Sequence, residues 1–181
     1  MIRTLNQALT RAARHANAGV RLLDRRERET WVSWSRIHEQ AGIVAAGLAA
    51  SGVERGAAVG LLYPTSEEFF SAFFGTLLSG AVPVPLYPPT RFGRLESYRL
   101  RTAGMLAAAK ARLALVDRRA LPLIEEALGQ ASCTGICLGD LPNNGSVCEE
   151  VTEDELALVQ FSSGTTVDPK PVALTHRAVL A

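Results

Sequence analysis

The sequence is short of the features that most readily announce a function. Its 181 residues carry only 3 cysteines, 3 histidines and a formal net charge of +1. Cys133, Cys137 and Cys148 are odd in number, lack metal-like pairing and have no histidine nearby. They read as reduced, structural thiols of a cytoplasmic protein, with no metal site. Near-neutrality leaves no strong field to draw nucleic acid or an anionic membrane. The longest apolar stretch, "FFSAFFGTLLSGAV" from Phe69 to Val82, is too short for a transmembrane segment and is broken by glycine and serine. It reads as a buried helix. No compact apolar h-region opens the chain, which argues against a secretory signal. Residues 1–23 hold arginines and no acidic side chain, a faint likeness to a transit peptide. The helical recurrence of Leu5, Ala8, Leu9, Ala12, Ala13 and Ala16 makes them a first helix instead. Repeats and low-complexity segments are missing too. "ALTHRAVLA" ends without a cap, glycine stop or polar tail, so the chain is expected to be part of something longer.

What is present is a globular composition, 48% hydrophobic and 20% charged, enough for one domain or a large piece of one. "VRLLD" (Val20 to Asp24) and "TWVSW" (Thr30 to Trp34) read as two strands around a charged turn. Ser35 is the expected cap of a helix from Arg36 to about Ala50, ended by Gly52. "AAVGLLY" has the length and continuity of a strand covered on both faces. Thr65 and Glu68 fit a capping box for a helix running to Ser79. The prolines of "AVPVPL" confine that run to an edge, a strand end or a crossover. Helix 94–109, strand "RLALVD", helix 120–128 and strand "TGICLG" follow. A polar surface loop, "LPNNGSVCEEVTEDE", leads to a last strand, Leu156 to Phe161. This alternation predicts an α/β three-layer sandwich with a mainly parallel sheet.

The last strand delivers "SSGTTVDPK". Gly164 lets backbone come close to a ligand, and neighbouring N–H groups can form an anion nest. Ser162, Ser163, Thr165 and Thr166 add short hydroxyl donors, and Lys170 adds a mobile positive charge. These donors suit a phosphate chain at the C-terminal end of a strand. The stretch is not a Walker loop. The competing reading is a surface loop rich in turn formers.

"SSGTTVDPKPVALTH" resembles the phosphate-binding signature of the adenylate-forming superfamily of acyl-CoA synthetases, luciferases and peptide-synthetase adenylation domains. The family pattern is Ser/Thr-Ser-Gly-Ser/Thr-Thr-Gly-x-Pro-Lys-Gly. Ser162, Ser163, Gly164, Thr165, Thr166, Pro169 and Lys170 match it, while Val167 and Pro171 replace its two further glycines. "GAVPVPLYPP" is similar to the segment AVPVPxYPP of fatty acyl-AMP ligases. The resemblance extends across the chain, through "TWVSWSRIHEQAGIVAAGLAASGVERGAAVGLLYP". It implies that residues 1–181 are the N-terminal part of an AMP-binding domain. The adenine and ribose motifs, the hinge and the catalytic lysine would lie in an absent remainder. It implies ATP and Mg²⁺ as cofactors, a fatty acid as substrate and an acyl carrier protein as acceptor. The implied setting is polyketide or lipid biosynthesis. The implied ATP-phosphate ligands are Ser162, Ser163, Gly164, Thr165, Thr166 and Lys170, with no catalytic residue in this portion, which is expected to be inactive alone. An acyl-CoA synthetase, an amino-acid adenylation domain and a non-catalytic nucleotide- or partner-binding module remain the alternatives.

His176 is a candidate ligand contact, and a capping or packing role competes with it. His15 and His38 fall on predicted helices as solvent or packing residues. Trp31 and Trp34 read as core or edge filling. The basic run "RFGRLESYRLR" could approach a phosphopantetheine arm or carrier protein, against a solvated helix face.

Overall fold

A computed structural model describes residues 1–24, 26–88, 95–145, 150–161 and 169–181. Along the chain run α1 (Leu5–Ala13), β1 (Gly19–Leu23), β2 (Glu29–Ser33), α2 (Trp34–Ala50), β3 (Ala58–Leu62), α3 (Glu67–Leu78) and β4 (Val82–Pro85). Then come α4 (Leu95–Ala108), β5 (Leu113–Val116), α5 (Leu121–Gln130), β6 (Thr134–Ile136), β7 (Leu156–Phe161), β8 (Pro171–Thr175) and α6 (His176–Leu180). Four strands make a parallel sheet in the order β4-β3-β5-β6.

Strand alternation splits the apolar runs between two faces. Val59, Leu61 and Leu115 pack with Val44 and Leu48 of α2 and Ala72 of α3. Leu62, Ala114 and Val116 pack with Met105 and Leu106 of α4 and Ile124 and Leu128 of α5. Covering both faces is why β3 and β5 are apolar without interruption. Each fully buried aliphatic side chain there is worth about 1.5–3 kcal/mol. The predicted three-layer α/β sandwich with a parallel sheet is therefore the architecture. A third cluster holds Leu9, Val32, Ile37 and Ala41, with Trp34, Phe70 and Phe74 against it, and seats α1 and the β1–β2 hairpin beside α2 and α3. Cys133 and Cys137 are buried free thiols, and burial pushes Cys133 up to about 11. Cys148 lies outside the described residues.

Three local expectations need correction. The cap of α2 is Ser33, whose hydroxyl accepts from Arg36 N, not Ser35. The earlier start puts Trp34 in the helix, edge-on to Phe70 and Phe74 at 6.1 Å each. Trp31 remains in β2 and is 49% exposed. The cap of α3 is Ser66, whose hydroxyl accepts from Phe69 N, not Thr65. That frame places Glu67 and Glu68 in the first turn, where acidic charge favours the helix N-terminus. Finally, β7 is not a strand of the parallel sheet. It pairs antiparallel with β8, a strand the sequence reading left unassigned.

The prolines of β4 do what was expected of them. Val82 N donates to Ala57 O, just before β3, and Leu86 N to Leu61 O within it. Pro83 and Pro85 occupy the intervening positions, where an N–H would face the opposite edge. β4 is therefore the sheet's edge, and β7 packs beside it without a ladder.

Two helical glycines should respond oppositely to alanine. A Cβ at Gly75 in α3 would meet Val44 Cβ at 2.5 Å and Ala41 O at 3.0 Å, whereas one at Gly104 in α4 meets nothing within 4 Å. Gly75→Ala is expected to lose about 1–3 kcal/mol from overpacking. Gly104→Ala should gain up to about 1 kcal/mol of helix propensity. Urea midpoints that move in the same direction for both would contradict this packing.

Candidate phosphate-binding hairpin

β7 and β8 are registered Phe161↔Pro171, Val159↔Ala173 and Leu156↔Thr175, an antiparallel pair whose Phe161–Pro171 end leads in sequence into and out of the hydroxyl-rich segment. Ser162, Ser163, Gly164, Thr165 and Thr166 lie outside the described residues. Lys170 is described and exposed, directly before β8.

The base of the hairpin sits near the start of β4. Glu155 and Leu156 share a cavity of about 100 Å³ with Gly80, Ala81, Val82 and His176. Further along, Val159 and Phe161 belong to the cluster that includes Val84 and Leu86. β7 thus runs in the same sense as β4. Phe161 leaves it at the end of the sheet where parallel strands finish, the side on which α/β folds place ligands. On that side the chain leaving β4 is held by Tyr98 of α4, whose hydroxyl donates to Tyr87 O at 2.7 Å.

Both feet of the hairpin are tied down by distant residues. Arg55 grips Glu155 with two bonds, Nε to Oε2 at 2.8 Å and Nη2 to Oε1 at 2.7 Å. Glu155 Oε1 also accepts Thr152 N at 2.6 Å. The Arg55 guanidinium, with help from the Thr152 amide, lowers the Glu155 carboxyl to about 2. At the other foot, His176 N donates to Glu155 O at 3.0 Å and Arg177 N to Glu153 O at 2.8 Å. The Arg177 guanidinium reaches Glu153 at 2.7 Å and Asp154 at 2.8 Å. Thr175 caps α6 by accepting from Ala178 N.

The sequence candidates therefore separate. Lys170 stands with the tip, while His176 stands at the foot, with the five residues of β8 between them. The His176 ring is 1% exposed, and Nδ1 accepts Leu5 N at 3.1 Å. Burial lowers its pKa, with Glu155 pulling the other way. That is the packing role. His38 Nε2 lies 3.4 Å from Thr10 Oγ1, and His15 is exposed. In the basic run, residues 91–94 lie outside the described residues, and Arg99 is committed to Leu123 O and Glu126 on α5. Sequence reasoning missed Arg55 and Glu155. Partners 100 residues apart leave no local signal. Among the described residues, no group of three His, Cys, Asp or Glu could hold a metal, and no helix is long and apolar enough to cross a membrane.

The profile of the AMP-binding enzyme family matches residues 8–181. A Caulobacter vibrioides protein, whose name proposes an acyl-CoA synthetase, is 31% identical over 182 residues, covering 98% of this chain and 32% of that protein. A medium-chain-fatty-acid–acyl-carrier-protein ligase of Moorena producens is 31% identical over 157 residues, covering 82% of this chain and 26% of the ligase. A solved structure from work on the fatty acyl-adenylate ligases of E. coli and L. pneumophila superposes with a TM-score of 0.90 at 28% identity. It covers 99% of this chain and 33% of that one. The chain thus spans about a third or less of the length of these relatives.

The two feet should titrate in separate windows. The unfolded histidine keeps its ordinary value near 6.5 while the folded one is lower. The unfolded chain therefore takes up that proton first, and the His176 contribution, full above 6.5, is lost as pH falls below it. The Glu155 contribution is full above 4.5 and is lost between 4.5 and about 2. Urea midpoints measured from pH 8 to pH 3 should fall in two steps, and His176→Asn should remove only the upper one. An upper step that persists in His176→Asn would contradict the assignment.

Proposed function

The chain belongs to the AMP-binding enzyme family, and from that premise we propose that residues 1–181 are the N-terminal part of an adenylate-forming domain in a longer fatty acyl-AMP ligase. One observation carries this reading: in the sequence, a hydroxyl-rich, glycine-centred segment with a lysine directly follows Phe161, where β7 ends at the parallel sheet's C-terminal edge. Ser162, Ser163, Thr165 and Thr166 are short hydroxyl donors, Gly164 is a residue type that admits close approach, and Lys170 offers charge. That donor set fits the phosphates of ATP. A Mg²⁺ ion would ride on phosphate oxygens and water, as this ion commonly does.

ATP supplies an electrophilic α-phosphorus. A fatty-acid carboxylate oxygen attacks it, the bond to the β-phosphate bridge breaks, and pyrophosphate leaves with that electron pair, giving acyl-adenylate. The tip's part is to hold and orient the phosphates and to spread their growing charge. A carrier-protein phosphopantetheine thiol then attacks the acyl carbonyl, losing its proton as AMP leaves and a thioester forms. Support for the fatty acid and the carrier comes from "GAVPVPLYPP" and from the Moorena producens relative, which is named for both. The fatty acyl-adenylate ligase structure points to the same acid. The setting we propose is cytoplasmic lipid or polyketide assembly. The name of the Caulobacter vibrioides relative favours a second reading, transfer to CoA.

Three measurements test the proposal. Fatty-acid-dependent ATP–pyrophosphate exchange should be present in the full-length protein and at background in the 181-residue chain; turnover by that chain alone would overturn the division. Lys170→Ala in the full-length protein should lower kcat/KM for ATP roughly 10- to 100-fold, the worth of one charge-assisted bond, with the fatty-acid KM unchanged. Unaltered ATP kinetics would remove Lys170 from the site. Offered CoA or a phosphopantetheinylated carrier protein, the enzyme should load the carrier; acyl-CoA formed as fast would favour the synthetase.

A further inference from the structure

We infer that His176 is a positioning residue: by accepting the first amide of α1 it fixes the foot of the β7–β8 hairpin, and so sets where Phe161 and Pro171, the strand ends flanking the phosphate-binding sequence, stand. The inference rests on the adenylation reading for what the tip binds, and on geometry alone for what holds it.

Leu5 opens α1, so its N–H is one of the donors a helix leaves without an internal partner. Thr4 satisfies two of its neighbours, Gln7 through the side chain and Ala8 through the carbonyl. Leu5 N instead donates to His176 Nδ1, from the far end of the chain, 171 residues away. The bond requires an unprotonated Nδ1, so the neutral ring carries its proton on Nε2. His176 is thus an external cap that ties α1 to the hairpin.

α1 is in turn tied to α3. Asn6 Nδ2 donates to Leu77 O at 3.0 Å, near the end of α3 and just before the chain turns into β4. A continuous path therefore joins the start of β4, the end of α3, the first turn of α1, His176 and the foot of the hairpin. The hairpin needs such a tie. Its outer strand β8 is exposed at Pro171, Val172 and Ala173, and β7 has no ladder to β4. From foot to tip, β7 is a lever of six residues, roughly 20 Å. Arg55 holds one foot through Glu155, and His176 holds the other. A small swing at the foot becomes a larger displacement at Phe161 and Pro171, between which the candidate phosphate ligands lie in sequence.

Leu5→Pro deletes the donor without opposing the helix, because proline is favoured at a first helical position. Thr4 already has the extended backbone, φ −131 and ψ 156, that must precede it. His176→Phe deletes the acceptor, whereas His176→Asn keeps an amide oxygen near the place of Nδ1. In hydrogen-exchange mass spectrometry of the 181-residue chain, peptides spanning 156–175 should exchange roughly 3- to 10-fold faster in Leu5→Pro and in His176→Phe, the worth of one neutral hydrogen bond. The double variant should be no faster than either, His176→Asn should stay near wild type, and peptides of β3 and β5 should not change. In the full-length protein the same two single variants should raise the KM for ATP and leave the fatty-acid KM alone. Unchanged hairpin exchange, acceleration spread equally over β3 and β5, or additive effects in the double variant would overturn the inference. Absence of ATP–pyrophosphate exchange in the wild-type full-length protein would instead defeat the adenylation reading, and the hydrogen-exchange pattern would still decide the role of His176.

Discussion

The outer edge of β4 has no amides to give. Its valine-side N–H groups are spent on β3, and its other two positions are Pro83 and Pro85. A neighbour laid there cannot complete a ladder, so the sheet stops. β7 nonetheless packs its apolar side against β4, with Val159 in the same core as Val82 and Val84. Along one edge its backbone groups are paired with β8. With no amides on its outer edge, β4 ends the parallel sheet, and β7 pairs with β8 instead.

A hairpin outside the ladder is held by side chains rather than by sheet hydrogen bonds. Ala157, Leu158 and Val159 are buried, and that burial fixes the hairpin sideways. Its position along and about its own axis depends on the feet, where Arg55, Arg177 and His176 converge on residues 153–155. The sheet core, covered on both faces, belongs to the most stable part of the molecule, and a two-stranded ribbon with one exposed edge belongs to a less stable one.

The layer order was legible because it depends on local pattern. Uninterrupted apolar runs at β3 and β5 predict two-sided burial, and glycines at positive φ close α2 at Gly52 and α3 at Gly80. The candidate loop was legible by composition. The caps were misread by one or two positions, because Ser33 and Ser35, or Thr65 and Ser66, offer equivalent oxygens. Only the packing of Trp34 and the placement of Glu67 and Glu68 choose between them. β8 was not legible, since "PVALT" has strand character only opposite a partner ten or more residues back. Neither were the Leu5–His176 and Arg55–Glu155 contacts, which exist only after the fold brings opposite parts of the chain together.

The central claim is that the hairpin tip meets the phosphates of ATP, and the lysines allow a direct test. The chain has two, Lys110 and Lys170. Lys110 lines a cavity with Arg112, Gly52 and Thr134, at the N-terminal edge of the parallel strands and away from the tip. An acyl-phosphate derivative of ATP transfers its acyl group to an amine lying beside the bound phosphates. The full-length protein should be treated with it, with and without excess ATP, and the peptides carrying the two lysines quantified by mass spectrometry. The account predicts acylation at Lys170, suppressed by ATP, with Lys110 at background. Equal labelling of both, or labelling of Lys170 that ATP does not suppress, would contradict it.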